Sequence, residues 1–191
     1  MKKIFFTIIS LLILFNFSFS QTETEKILLH PEDWSYEKID FPLSFAPEIN
    51  YKGFEELRFS PGMFKNTSEQ HFTYIILMNI HEKVKFSETD VNTLIYNYFN
   101  GLCMSYSEKN HLSIDSTKIV TDILKIEKNT FRGTAQLFDV FNKAELISVN
   151  INLEVIYNKG KTQIYICVSK QNFESGIWQE MFDVKEKINL K

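Results

Sequence analysis

The stretch LISVNINLEVIY, residues 146–157, decides the fold class. Ile147, Val149, Ile151, Leu153, Val155 and Tyr157 fall on one face at a period of two, and Ser148, Asn150, Asn152 and Glu154 fall on the other. That is a strand with one core face and one polar face, the pattern of an antiparallel sheet. Its neighbours read the same way. IVTDILKIE and FRGTAQLFDVF precede it and TQIYICVSK follows, with short connections (KNT, NKAE, NKGK) rich in Asn, Lys and Gly. Such connections suit hairpins, so the four segments form a meander.

Upstream of the meander, residues 87–106 carry a different period. Ser87-x-x-Asp90 predicts a capping box. Val91, Leu94, Ile95, Tyr98, Phe99, Leu102, Cys103 and Tyr106 then follow at spacings of three and four. This predicts a long amphipathic helix, about 30 Å at 1.5 Å per residue, lying across the sheet. Before the helix, HFTYIILMNI is apolar on both faces and reads as a central strand. In GFEELRFS, Glu55, Leu57 and Phe59 share one face, and Glu56, Arg58 and Ser60 the other. KIDFPLSFA alternates Ile39, Phe41, Leu43 and Phe45, and Pro42 assigns it to a sheet edge. Ser60-Pro61-Gly62-Met63 suits a type II turn leading into a connection of about ten residues. At the other end, SGIWQEMFDVKEKINLK predicts a C-terminal helix capped by Ser175. The expected fold is α+β: a mostly antiparallel sheet of six to seven strands, with one long and one C-terminal helix packed on it.

The first residues, MKKIFFTIISLLILFNFSFSQ, have the layout of a secretory signal peptide: Lys2 and Lys3, an apolar run, then Ser18 and Ser20. Cleavage is expected after Ser20, leaving residues 21–191 as one α+β domain in the periplasm or outside the cell. The first cysteine is Cys103, too far along to serve as a lipid-anchored residue after cleavage. No later segment approaches the roughly 20 apolar residues that span a bilayer. The formal charge is −3, and Arg58 and Arg132 are the only arginines. This balance argues against nucleic acid or an anionic membrane as partner.

The order of elements resembles the PsbP-like fold. FPLSFAP, LRFSPG, NKGKTQIYICV and GIWQEMF stand where that family has its opening strands, its meander's end and its Trp-bearing last helix. The resemblance spans most of residues 39–189 and implies an αβ sandwich; its motifs are structural and imply no activity. FPLSFAPEINYKGFEELRFSPGMF also resembles short secreted bacterial proteins of unassigned function.

Chemistry-bearing motifs are sparse. His30, His71, His81 and His111 are scattered, no metal-ligand spacing is present, and surface histidines and no cofactor are expected. Cys103 lies on the helix stripe. Cys167 alternates away from Ile164, Ile166 and Val168, so the two thiols are expected to stay unpaired. No G-x-S-x-G elbow occurs, and Glu55 and Glu56 point to opposite faces of their strand. Asn66-Thr67-Ser68 and Asp115-Ser116-Thr117 fit glycosylation tripeptides that arise often by chance. The expected function is a non-catalytic binding or protein-interaction module, its partner an unknown protein or small molecule. Its surface is expected on the polar sheet face of Glu56, Arg58, Asn150, Asn152 and Glu154 and on the loop residues Met63 and Phe64. The alternatives are a small hydrolase or isomerase assembled only by folding, and a carrier holding a small apolar ligand between helix and sheet.

Overall fold

Residues 26–188 are described by the computed structural model. Seven strands run β1 (Ser35–Asp40), β2 (Gly53–Phe59), β3 (Tyr74–Ile80), β4 (Val120–Lys125), β5 (Thr130–Asp139), β6 (Glu145–Asn158) and β7 (Lys161–Ser169). They form one open sheet in the order β1-β2-β3-β7-β6-β5-β4, every pairing antiparallel. Helix α1 (Glu88–Lys109) carries the chain from β3 to the far edge, and α2 (Gly176–Lys187) follows β7. The fold class is therefore the α+β arrangement expected.

The meander falls where alternation places it. The β6 residues Val149, Ile151, Leu153 and Val155 are buried in the larger core, beneath Val91, Leu94, Ile95, Tyr98, Phe99 and Cys103 of α1. The capping box of α1 is formed: Ser87 Oγ accepts from the Asp90 amide, and Asp90 accepts from the Ser87 amide. α1 also closes the sheet edge. Asn92 donates to the Ile123 carbonyl at 2.7 Å and accepts from the Ile123 amide at 3.1 Å, occupying backbone groups that an edge strand otherwise leaves open.

Three local expectations are corrected. The strand read from Ile39 to Phe45 lies earlier, at Ser35–Asp40, on the edge as expected. Beyond Phe41 the chain folds into successive turns, Ala46 N–H to Leu43 and Ile49 N–H to Ala46, which bury Leu43, Ala46 and Ile49 against α1. Gly101 on α1 permits this approach, since a Cβ there would stand 2.2 Å from the Phe45 carbonyl oxygen. The β2–β3 connection runs from residue 60 to residue 73, and Phe72 lies outside the strand with φ +55°. Its first turn closes through Met63 N–H to the Ser60 carbonyl at 3.0 Å. Gly62 lacks the positive φ of a type II turn; glycine is needed because a Cβ would meet Ser68 Oγ at 2.1 Å.

The sheet face opposite α1 is the main departure. It carries a second core of Ile75, Leu77, Tyr165 and Cys167 beneath Trp178, Met181, Val184 and Ile188 of the C-terminal segment and Leu28 and Trp34 of residues 26–34. Both faces are thus covered. Cys103 and Cys167 are free and buried in the two different cores, on opposite sides of the sheet.

Candidate functional site

Five of the expected surface residues build that second face from within. Glu56 is fully buried; it accepts from the Ile27 and Leu28 amides and from the Tyr36 hydroxyl. Arg58, also buried, spreads its guanidinium over three carbonyls: Nε to Leu28 at 3.0 Å, Nη1 to Trp34 at 2.9 Å and Nη2 to Leu29 at 2.9 Å. The Tyr36 ring lies under this guanidinium, 5.0 Å from ring centre to Cζ. Burial, and then the adjacent Glu56, push the Tyr36 hydroxyl well above its ordinary range. Asn150 donates to the Gln171 carbonyl, Asn152 accepts from Arg132, and Glu154 pairs with Lys185 of α2 at 2.7 Å. The expected polar binding face is therefore corrected. Its charges fasten residues 26–34 and α2, because alternation reports a polar face without reporting what later packs on it.

Met63 and Phe64 sit elsewhere. They line a cavity of about 260 Å³ between α1 and the sheet. Its walls come from Glu37, Ile39, Leu57, Phe59 and Tyr74 of the sheet, Tyr98 and Leu102 of α1, and Phe45 and Phe141 of two loops. Met63 is buried, whereas Phe64 is 52% exposed and stands between Phe59 and Phe141, with ring centroids at 5.7 and 5.3 Å. Edge-to-face contact of Phe45 with Tyr98 at 5.2 Å fixes the opposite wall.

Behind the Tyr98 wall lies Glu55, fully buried, its Oε1 accepting from the Tyr98 hydroxyl at 3.2 Å. Glu55 Oε2 and the Tyr74 hydroxyl are buried without a hydrogen-bond partner among the described residues. Burial pushes the Glu55 carboxyl up to about 8, the Tyr98 hydrogen bond opposing and Glu37 adding to the rise. An unpartnered buried polar atom costs about 1–3 kcal/mol.

A second, polar cavity of about 160 Å³ joins the β2–β3 connection to the β5–β6 turn. His71, expected at the surface, is buried there. Its Nε2 is 3.0 Å from Asp139 Oδ2, its Nδ1 is 3.3 Å from Lys170 Nζ, and Asn142 donates to Asp139 at 2.8 Å. Asn142 Nδ2 also stands 3.2 Å from His71 Nε2. Asp139 Oδ1 has no hydrogen-bond partner among the described residues. Phe72 and Ala144, at φ +55° and +52°, lie beside this cluster. Among the described residues, no serine, threonine, cysteine or tyrosine lines the cavity. Burial holds Cys103 up to about 11, which removes it as a thiolate nucleophile. Among the described residues, no group of three His, Cys, Asp or Glu is placed to hold a metal.

Sequence reading placed Glu55 on the core face of β2 but gave it no role. Asp139 shares the core-facing parity of β5 with Phe131, Ala135 and Leu137. An acid in register with core residues was the available signal in both cases. No family model matches the chain, nor does any curated protein or solved structure.

Proposed function

We propose that this is an exported, non-catalytic binding protein that holds a small, largely apolar molecule between α1 and the sheet. The signal-like N-terminus supports export, though residues 1–20 lie outside the described residues. The order of elements supports the finer PsbP-like sandwich. The observation that carries the function is the aromatic cavity of about 260 Å³, which opens beside a half-exposed phenylalanine. Ligand pockets run from about 300 to 1,000 Å³ and are mostly apolar with a few placed polar groups, so this one suits a molecule of one or two rings. The placement of a protein-binding surface on the polar sheet face no longer stands, because α2 and residues 26–34 occupy that face.

Leu102, half-buried on α1, tests the reading. Leu102→Trp projects an indole into the cavity without touching the sheet core. N-phenylnaphthylamine, a neutral dye, should light up on the wild-type protein at a single saturable site, and Leu102→Trp should weaken it about tenfold or more, as expected when a filled pocket excludes its ligand. Equal dye binding by both proteins would place the dye, and the function, elsewhere.

A second reading rests on the His71–Asp139 contact, which has the form of a general base and the carboxylate that orients it. A hydrolase built on it would activate water, since the cavity offers no hydroxyl or thiol. Nitrophenyl acetate turnover above the buffer rate, abolished by His71→Ala, would support this reading; turnover unchanged by that substitution would dismiss it.

A further inference from the structure

We propose that the cavity between α1 and the sheet is an aromatic cage for a quaternary ammonium ion, with Glu37 as the counter-charge at its mouth. This rests on the binding reading above and narrows its chemistry.

Six of the lining side chains are rings: Phe45, Phe59, Phe64, Tyr74, Tyr98 and Phe141. They do not stack in one layer. Phe45 meets Tyr98 at 89°, and Phe64 meets Phe141 at 81°, so neighbouring rings stand at right angles. A trimethylammonium group is tetrahedral and touches walls on several sides at once. Each ring offers it the negative face of its quadrupole.

The charge of the lining points the same way. Glu37 is its one charged residue, and among the described residues no lysine, arginine or histidine joins it. Glu37 shares a face of β1 with the lining residue Ile39. It is exposed and Phe64 is half-exposed, so the carboxylate stands on the open side of the cavity. Its charge is felt inside, where it adds to the rise of the buried Glu55 carboxyl.

The polar groups select a quaternary ammonium over a primary one. The Tyr98 hydroxyl donates to Glu55, and the Tyr74 hydroxyl is buried. A primary ammonium carries three N–H donors and would find only Glu37 to receive them, at the cost of its water. A quaternary ammonium has no N–H to satisfy. Its methyl groups bury as apolar surface while its charge acts on the rings. A carboxylate would meet Glu37 with no cation in the lining. A neutral molecule of the same shape would gain the apolar contact alone.

Choline, its uncharged isostere neohexyl alcohol, and ethanolamine separate these cases as competitors for N-phenylnaphthylamine bound to the full chain. Choline should compete about tenfold more tightly than either of the others, as cation–π contact in a partly desolvated cage requires. Glu37→Gln should weaken choline about threefold to fivefold without lowering the melting temperature, since Glu37 is exposed. Phe64→Leu keeps apolar bulk and removes a ring face; it should weaken choline about threefold and the alcohol less. Competition by the alcohol or ethanolamine as tight as that of choline, no competition by choline, or choline binding indifferent to both substitutions would overturn the cation assignment and leave the cavity as a ligand site. Dye that finds no site sensitive to Leu102→Trp would overturn the cavity reading along with it.

Discussion

Arg58→Ala should lower the unfolding free energy by about 3–5 kcal/mol, the range for removing one partner from a buried charged network. The substitution strips three carbonyls, those of Leu28, Leu29 and Trp34, of their donor. It also leaves Glu56, fully buried on the same face of β2, without its cationic neighbour. Burying Leu28 and Trp34 requires the segment to stay docked, and Arg58 holds it through three carbonyls at once. Arg58→Lys should recover little, because an ammonium cannot reach three carbonyls in fixed directions. Urea denaturation gives the magnitude, and early protease cleavage within residues 26–34 gives the location. A variant within about 1 kcal/mol of wild type, as is typical of surface positions, would mean that Arg58 is not the clamp described.

The neighbouring acid on the opposite face should behave in the reverse sense. Glu55 has a carboxyl raised from 4.5 to about 8 by burial. A raised folded value means the native state binds more protons than the unfolded chain between those limits. Its contribution is fully present below pH 4.5 and is lost as pH climbs through 8, a loss on the order of 4 kcal/mol. Glu55→Gln removes the titration but keeps shape and hydrogen-bonding capacity. The variant and wild type should match near pH 4.5, and the variant should become progressively more stable up to pH 8. The difference between the two proteins isolates Glu55, since the docked carboxylates, Glu56 among them, are common to both. A difference that stays constant with pH would show that Glu55 titrates as an ordinary carboxyl.

These two adjacent glutamates show how far a sequence can be read. Period-two alternation separated Glu55 from Glu56 correctly, and the same logic placed the meander, α1 with its capping box, and the C-terminal helix. These signals are local: they lie within one element and depend on its own geometry. What Glu56 and Arg58 do was not legible, because their partners, residues 27–34, are remote in the chain and carry no periodic signal. A strand's polar face reads alike whether water or a docked segment covers it. The same holds for Asn150 and Glu154, whose partners lie on the approach to α2 and on α2, while Asn152 is engaged by Arg132 of the neighbouring strand. Met63 and Phe64 were read as a loop that either tucks or protrudes, and the structure divides them, Met63 inward and Phe64 half outward. The cavity they border takes its walls from five strand residues, two helix residues and two further loops, so no contiguous motif encodes it. His71 and Asp139, 68 positions apart in the numbering, meet only once β5 has paired.

The most direct test of the binding function is native mass spectrometry of the protein isolated from the cells that make it, compared with Leu102→Trp prepared in parallel. A reproducible non-covalent adduct is expected on the wild type, absent from Leu102→Trp, with a mass that fits a small, largely apolar molecule. Wild-type protein that emerges bare from every gentle preparation, indistinguishable from the blocked variant, would contradict it.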